Sequence, residues 1–164
     1  MRAKTSQPVH EIIATRRSPR SLDPTIPFTD QDLLAALEAA RWAPSAFNGQ
    51  PWRFFVGRKQ DETFSKILST LVPFNQSWAK NASALIVIAA KTIKEDGTIH
   101  ADYQYDCGLA AAQMVFEVHN RHFFAANPSC DVTESQSRAS VVGTRDRFAF
   151  VGRNDDVLVF RHYA

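Results

Sequence analysis

The chain has 164 residues, 45% apolar and 22% charged, with twelve Phe, which is one globular domain with material for a substantial core. Its net charge of +2 is too weak to mark a nucleic-acid or membrane-surface binder, and no apolar run approaches the roughly 20 residues that span a bilayer. Residues 1–8 lack the apolar centre of a signal peptide, and the two cysteines, Cys107 and Cys130, lack metal-type spacing, so a reduced, cytoplasmic protein is expected.

Residues 8–15 read as a short helix, with Val9, Ile12 and Ile13 as its apolar stripe. Just past it stand Arg16, Arg17, Ser18, Pro19 and Arg20. Arginine forks suit a bidentate grip on phosphate; the bland alternative is a solvated basic cap favoured by the helix dipole. Thr29 with Asp32 forms a variant capping box. It opens a helix running to Trp42, with Leu33, Leu34 and Leu37 on one side.

Pro44 ends that helix, because it disfavours the α region at Ala43. The stretch 43–54 is then dense in prolines, small residues and amides: Pro44, Ser45, Ala46, Asn48, Gly49, Gln50 and Pro51. Such a loop on a rigid scaffold is either a binding loop or an ordinary helix-to-strand turn. Trp52, Phe54 and Val56 alternate with Arg53 and Phe55 as in a half-buried strand. Residues 60–71 form an amphipathic helix, and 72–81 is a mixed segment containing Asn75, Trp78 and Lys80.

The unbroken apolar run 84–90 reads as a central strand covered on both faces, and Asp96-Gly97 as a turn. The longest helix covers 102–122, with Tyr105, Leu109, Ala112 and Phe116 as its stripe and a small surface at Gly108, Ala110 and Ala111. After Asn127 the character changes, and the apolar runs 148–152 and 157–160 are expected to form a hairpin turning at 153–156. The histidines His10, His100, His119, His122 and His162 are scattered and read as solvated or packed. No Ser/His/Asp or Cys/His set stands out.

The order and separation of these signatures resemble the nitroreductase family of flavoenzymes. The resemblance rests on Arg16 to Arg20, on Ala43-Pro44-Ser45 with Asn48, Gln50, Pro51 and Trp52, on Asn75 with Trp78 to Ala82, and on the helix from Tyr105-Asp106 to Met114. It covers about residues 9–124 of a single domain, 1–164, and leaves 125–164 unmatched. It implies an α+β fold with a central, mostly antiparallel sheet flanked by helices. It also implies a homodimer holding FMN at two interface sites, and electron transfer from NADH or NADPH through flavin N5 to nitroaromatics, quinones or similar small acceptors, with no nucleic-acid or membrane partner. Carried over by position, Arg16, Ser18 and Arg20, with Arg17 beside them, face the FMN phosphate, ribityl chain and pyrimidine edge. Pro44, Ser45, Ala46 and Asn48 cover the flavin from the partner subunit, with Gln50 as a further neighbour, and Asn75 bonds the pyrimidine. The chemistry agrees: a dianionic phosphate asks for Arg, and a cation such as Arg20 at the N1–O2 edge raises the reduction potential.

The departures lie in the second half. His122 stands where the family often has Gly, and nothing after Asn127 matches the family's closing basic residues; Arg145, Arg147 and Arg153 are candidates to substitute for them. Two further readings follow: a flavin-binding or structural protein that lost turnover with its C-terminal half-site, and a small basic interaction module built on residues 16–20.

Overall fold

The unbroken apolar run dictates the architecture. In the computed structural model, which describes residues 2–19, 21–23, 25–126, 148–150 and 157–161, it forms strand β2 (Ala84–Lys91), buried from Ala84 to Ala90. Its side chains alternate between two cores. Ala84, Ile86, Ile88 and Ala90 pack with helices α2 (Asp30–Arg41) and α5 (Tyr103–Asn120). Leu85 and Val87 pack on the other side with α3 (Glu62–Thr70) and α4 (Pro73–Ala79). Helices therefore cover both faces of the sheet, as a strand without polar positions requires.

All four strand pairings described are antiparallel, as the α+β reading expects. Strand β1 (Trp52–Arg58) pairs with β2 along its whole length. Gly57 in β1 is a close-approach position, since a Cβ there would sit 2.4 Å from the backbone nitrogen of Phe64. The missing side chain lets α3 rest directly on the strand.

Among the described residues the two apolar runs near the C-terminus do not pair with each other as a hairpin would, and the expected turn at 153–156 lies outside those residues. Strand β4 (Phe148–Phe150) lies opposite Ala89 to Lys91, and β5 (Val157–Arg161) lies opposite Ala84 to Val87. Both occupy the edge of β2 away from β1, end to end. Pairing with this buried edge satisfies the backbone of both apolar runs at once. Strand β3 (Phe124–Ala126) pairs with the far edge of β5. Part of the unmatched tail is thus an interior strand of the sheet.

Three local expectations also shift. Helix α1 is Glu11–Thr15 and excludes Pro8, because His10 caps it, its Nδ1 accepting from the Ile12 N–H at 3.3 Å. The mixed segment 72–81 contains a true helix, α4, with Pro73 in its first turn, where a missing N–H costs nothing. The buried series of α5 is Asp106, Cys107, Ala110, Met114 and Val118, one step round from the expected stripe, and Tyr105 is 72% exposed. With so many alanines the apolar periodicity is shallow, and packing against the alanines of α2 sets the rotation. The capping box of α2 forms as read: Thr29 Oγ1 accepts from the Asp32 N–H at 3.2 Å and Asp32 Oδ2 accepts from the Thr29 N–H at 2.9 Å.

Candidate functional site

The loop after α2 is held in an uncommon conformation. Ser45 is extended, and Ala46–Asn48 make one 3-10 turn. Phe47, Asn48 and Gln50 have φ of 52°, 55° and 43°, a region where a non-glycine residue costs on the order of 1–3 kcal/mol. Gly49, by contrast, has an ordinary φ of −70°. Its glycine is spatial, because a Cβ would lie 2.4 Å from His100 Nε2.

The anchor comes from α5. The Ala46 N–H donates to the Asp106 carboxylate, 3.2 Å from each oxygen. Asp106 is only 1% exposed, and His100, 5% exposed, places Nε2 3.8 Å from Oδ2. Neither His100 ring nitrogen has a hydrogen-bond partner among the described residues. Within the loop, Ser45 Oγ accepts from the Gln50 N–H at 3.1 Å, and Gln50 Nε2 donates to Asn48 Oδ1 at 3.0 Å. Arg53 Nη1 donates to the Trp52 and Gln50 carbonyls at 2.7 and 3.3 Å. Pro44, Asn48 and Gln50 are exposed, and Phe47 stands 98% exposed at the tip.

Asp106 and His100 were not singled out from sequence. One signal existed for Asp106: it begins the series 106, 110, 114, 118, all buried, and an acid on a buried helical face needs a specific partner.

The basic arm lies elsewhere. Arg16 and Ser18 are exposed, with Arg16 Nη1 donating to Ser18 Oγ at 3.4 Å, and Pro19 is buried beneath them. Arg16 makes no ion pair among the described residues. The Arg17 guanidinium sits 5.5 Å from the centroid of the Phe124 ring, and Arg20 lies outside the described residues. Thr15 Oγ1 meets His119 Nε2 at 2.7 Å. Burial holds the His119 imidazole below its ordinary range, and the nearby Arg16 and Arg17 guanidiniums push the same way. Asn75 is buried in α4, its Oδ1 accepting from Trp78 Nε1 at 3.2 Å.

Loop and arm therefore dock at opposite ends of one helix. Asp106 anchors the loop and His119, thirteen residues on, meets Thr15, the residue from which the arm departs, about 20 Å apart at 1.5 Å per residue. Among the described residues no His/Cys/Asp/Glu group is arranged to hold a metal, and no helix is long and apolar enough to cross a membrane.

Comparisons with known proteins bear on these two clusters. The model of the nitroreductase family matches residues 13–73, the stretch holding both the arm and the loop. YdgI of Bacillus subtilis, which carries an NAD(P)H nitroreductase name, is 32% identical over 115 residues, 70% of this chain and 53% of that protein. The oxygen-insensitive NADPH nitroreductase of Helicobacter pylori is 31% identical over 80 residues, 49% of this chain and 37% of that one. A solved structure described as an oxidoreductase containing FMN superposes with a TM-score of 0.86 at 27% identity, covering 99% of this chain and 80% of that chain. The chain is similar to the nitroreductase family over residues 13–73 and to YdgI over 70% of its own length, and it shares the fold of that FMN-containing oxidoreductase. The chain spans about half the length of two of the curated relatives it matches.

Proposed function

We propose that two copies of the chain share two FMN sites, and that the assembly passes electrons from NADH or NADPH to a small acceptor such as a nitroaromatic or quinone. The observation that carries this reading is the separation of arm and loop along α5. One subunit holds them too far apart to meet on one flavin ring, whereas a two-fold pair sets the arm of one copy against the loop of the other.

The donor set fits FMN. Arg16, free of acidic partners among the described residues, and the Ser18 hydroxyl suit a phosphate, with Arg17 beside them and Arg20 assigned to the pyrimidine edge. Pro44, Ser45, Ala46, Asn48 and Gln50 of the partner copy form the cover, and Asn75 is assigned to the pyrimidine. Bound FMN supplies hydride acceptance and electron release, and the chain supplies position, charge and exclusion of water. Exposed apolar side chains support the paired arrangement: Trp42 stands at the end of α2 just before the loop, and Ile99 and Tyr105 stand on the segments flanking its anchor. On the outer face of α5, Gly108 opens onto unfilled space. A cytoplasmic homodimer without nucleic-acid or membrane partners belongs to the same reading.

The test is NAD(P)H oxidation by purified, FMN-supplemented protein with menadione or nitrobenzoate. Oxidation that depends on both FMN and acceptor is expected. A protein that stays colourless with FMN and leaves NAD(P)H unoxidised refutes the proposal.

A further inference from the structure

Beside the loop lies a groove of about 440 Å³, lined by Ala46, Phe47, Gln50, Arg53, Lys91 and Lys94 together with Glu95, Asp96 and His100. That volume is in the range of small-molecule sites. Its charges are unevenly engaged. Asp96 Oδ1 is taken up by Thr98, whose N–H and Oγ1 donate at 2.9 and 2.6 Å. Arg53, Lys91 and Lys94 make no ion pair among the described residues. The Lys94 ammonium lies 5.9 Å from the centroid of the exposed Phe47 ring, and buried His100, with neither ring nitrogen hydrogen-bonded among the described residues, lines the same groove. The Thr98 bonds hold the Asp96 carboxyl below its ordinary range, and Lys94 also lies close enough to help, but the three cations outnumber the two carboxylates of the groove, and an aromatic ring beside a net positive charge is the recognition chemistry of a planar base carrying phosphate.

We propose that this groove is a phosphate-binding subsite for the reducing dinucleotide, and that it favours NADPH over NADH. The proposal rests on the flavin reading above. Ala46 and Gln50, assigned there to cover the flavin, also line the groove, so a nicotinamide brought to that flavin leaves its phosphates beside Lys91, Lys94 and Arg53. NADPH carries one phosphate more than NADH, and a groove whose cations outnumber its carboxylates rewards the extra charge.

The test uses the oxidised nucleotides, which bind without turnover. Calorimetric titration of the FMN-supplemented protein with NADP+ and NAD+ is expected to show NADP+ bound roughly tenfold more tightly, the worth of one charge-assisted hydrogen bond. The Lys91→Ala/Lys94→Ala double variant, with flavin absorbance per subunit unchanged, is expected to bring the two affinities close together. Arg53 is left intact, because it also braces the loop carbonyls. Equal affinities in the unaltered protein overturn the proposal, and so does a preference for NADP+ that survives in the double variant. A variant that loses nitrobenzoate binding but keeps its NADP+ preference reassigns the groove to the acceptor and likewise overturns it. A protein that takes up no FMN yet shows a lysine-dependent NADP+ preference upholds the groove and overturns only the flavin reading.

Discussion

Asp106→Ala cuts the link between α5 and the loop. It removes the acceptor of the Ala46 N–H and leaves that donor without its partner. Hydrogen bonds to charged groups contribute about 1.5–3 kcal/mol, and an orphaned buried donor costs about 1–3 kcal/mol. Removing a carboxylate that is 1% exposed also relieves its desolvation, which acts in the opposite direction. The net loss is therefore set at about 2–3 kcal/mol, or roughly 5–10 °C in Tm for a chain of this size. Asp106→Asn separates the two effects, since it keeps size and one acceptor oxygen while removing the charge, and should fall by less than half as much. The local readout is sharper than the global one. With three non-glycine residues at positive φ, an unanchored loop relaxes, so the Ala46 amide should exchange with solvent far faster in Asp106→Ala while amides of β2 speed up only in step with the loss of global stability. Thermal unfolding and amide exchange on both variants make the test. Unchanged protection at Ala46 in Asp106→Ala would refute the anchoring role.

Three other outcomes are expected. Gly57→Ala should destabilise by about 1–3 kcal/mol, because its Cβ meets the backbone of α3 rather than a yielding side chain; a neutral result in urea denaturation would contradict that approach. Burial, with Asp106 adding to it, pushes the Cys107 thiol up to about 12, so in a Cys130→Ser background a thiol reagent at neutral pH should label Cys107 only on unfolding. His119 is depressed in the folded state, so the unfolded chain binds its proton more tightly. The stability this gives is complete above the ordinary histidine value and is lost as pH falls below it; His119→Gln should flatten that fall, and an unaltered pH slope would sink the assignment.

Much of the fold was legible because its signals are local. Seven consecutive apolar residues from Ala84 to Ala90 admit only a doubly covered strand, and Thr29 with Asp32 specifies a helix start through two hydrogen bonds in one turn. What escaped depends on distant pairing. The runs around Phe148 and Val157 look the same whether they pair with each other or with β2; the choice is made by the free edge of β2, far away in sequence. The loop was visible from Pro44, Asn48 and Pro51. Its anchor was not, because Asp106 and His100 sit more than fifty residues downstream and their proximity is a product of the fold. Gly49 illustrates the same limit: the sequence shows only one more small residue in the loop, but the reason for the glycine is the imidazole beside it.

Binding of FMN, one per subunit in a pair of shared sites, underlies the whole of the proposed activity. The direct measurement is fluorescence titration of FMN with the apo-protein, the stoichiometry referred to subunits and the assembly followed by light scattering. Quenching is expected to saturate at one FMN per subunit in a dimer, with Arg16→Ala weakening the affinity by roughly 1.5–3 kcal/mol. Flavin that keeps its fluorescence at micromolar protein, or that is bound fully by a monomer, would contradict it.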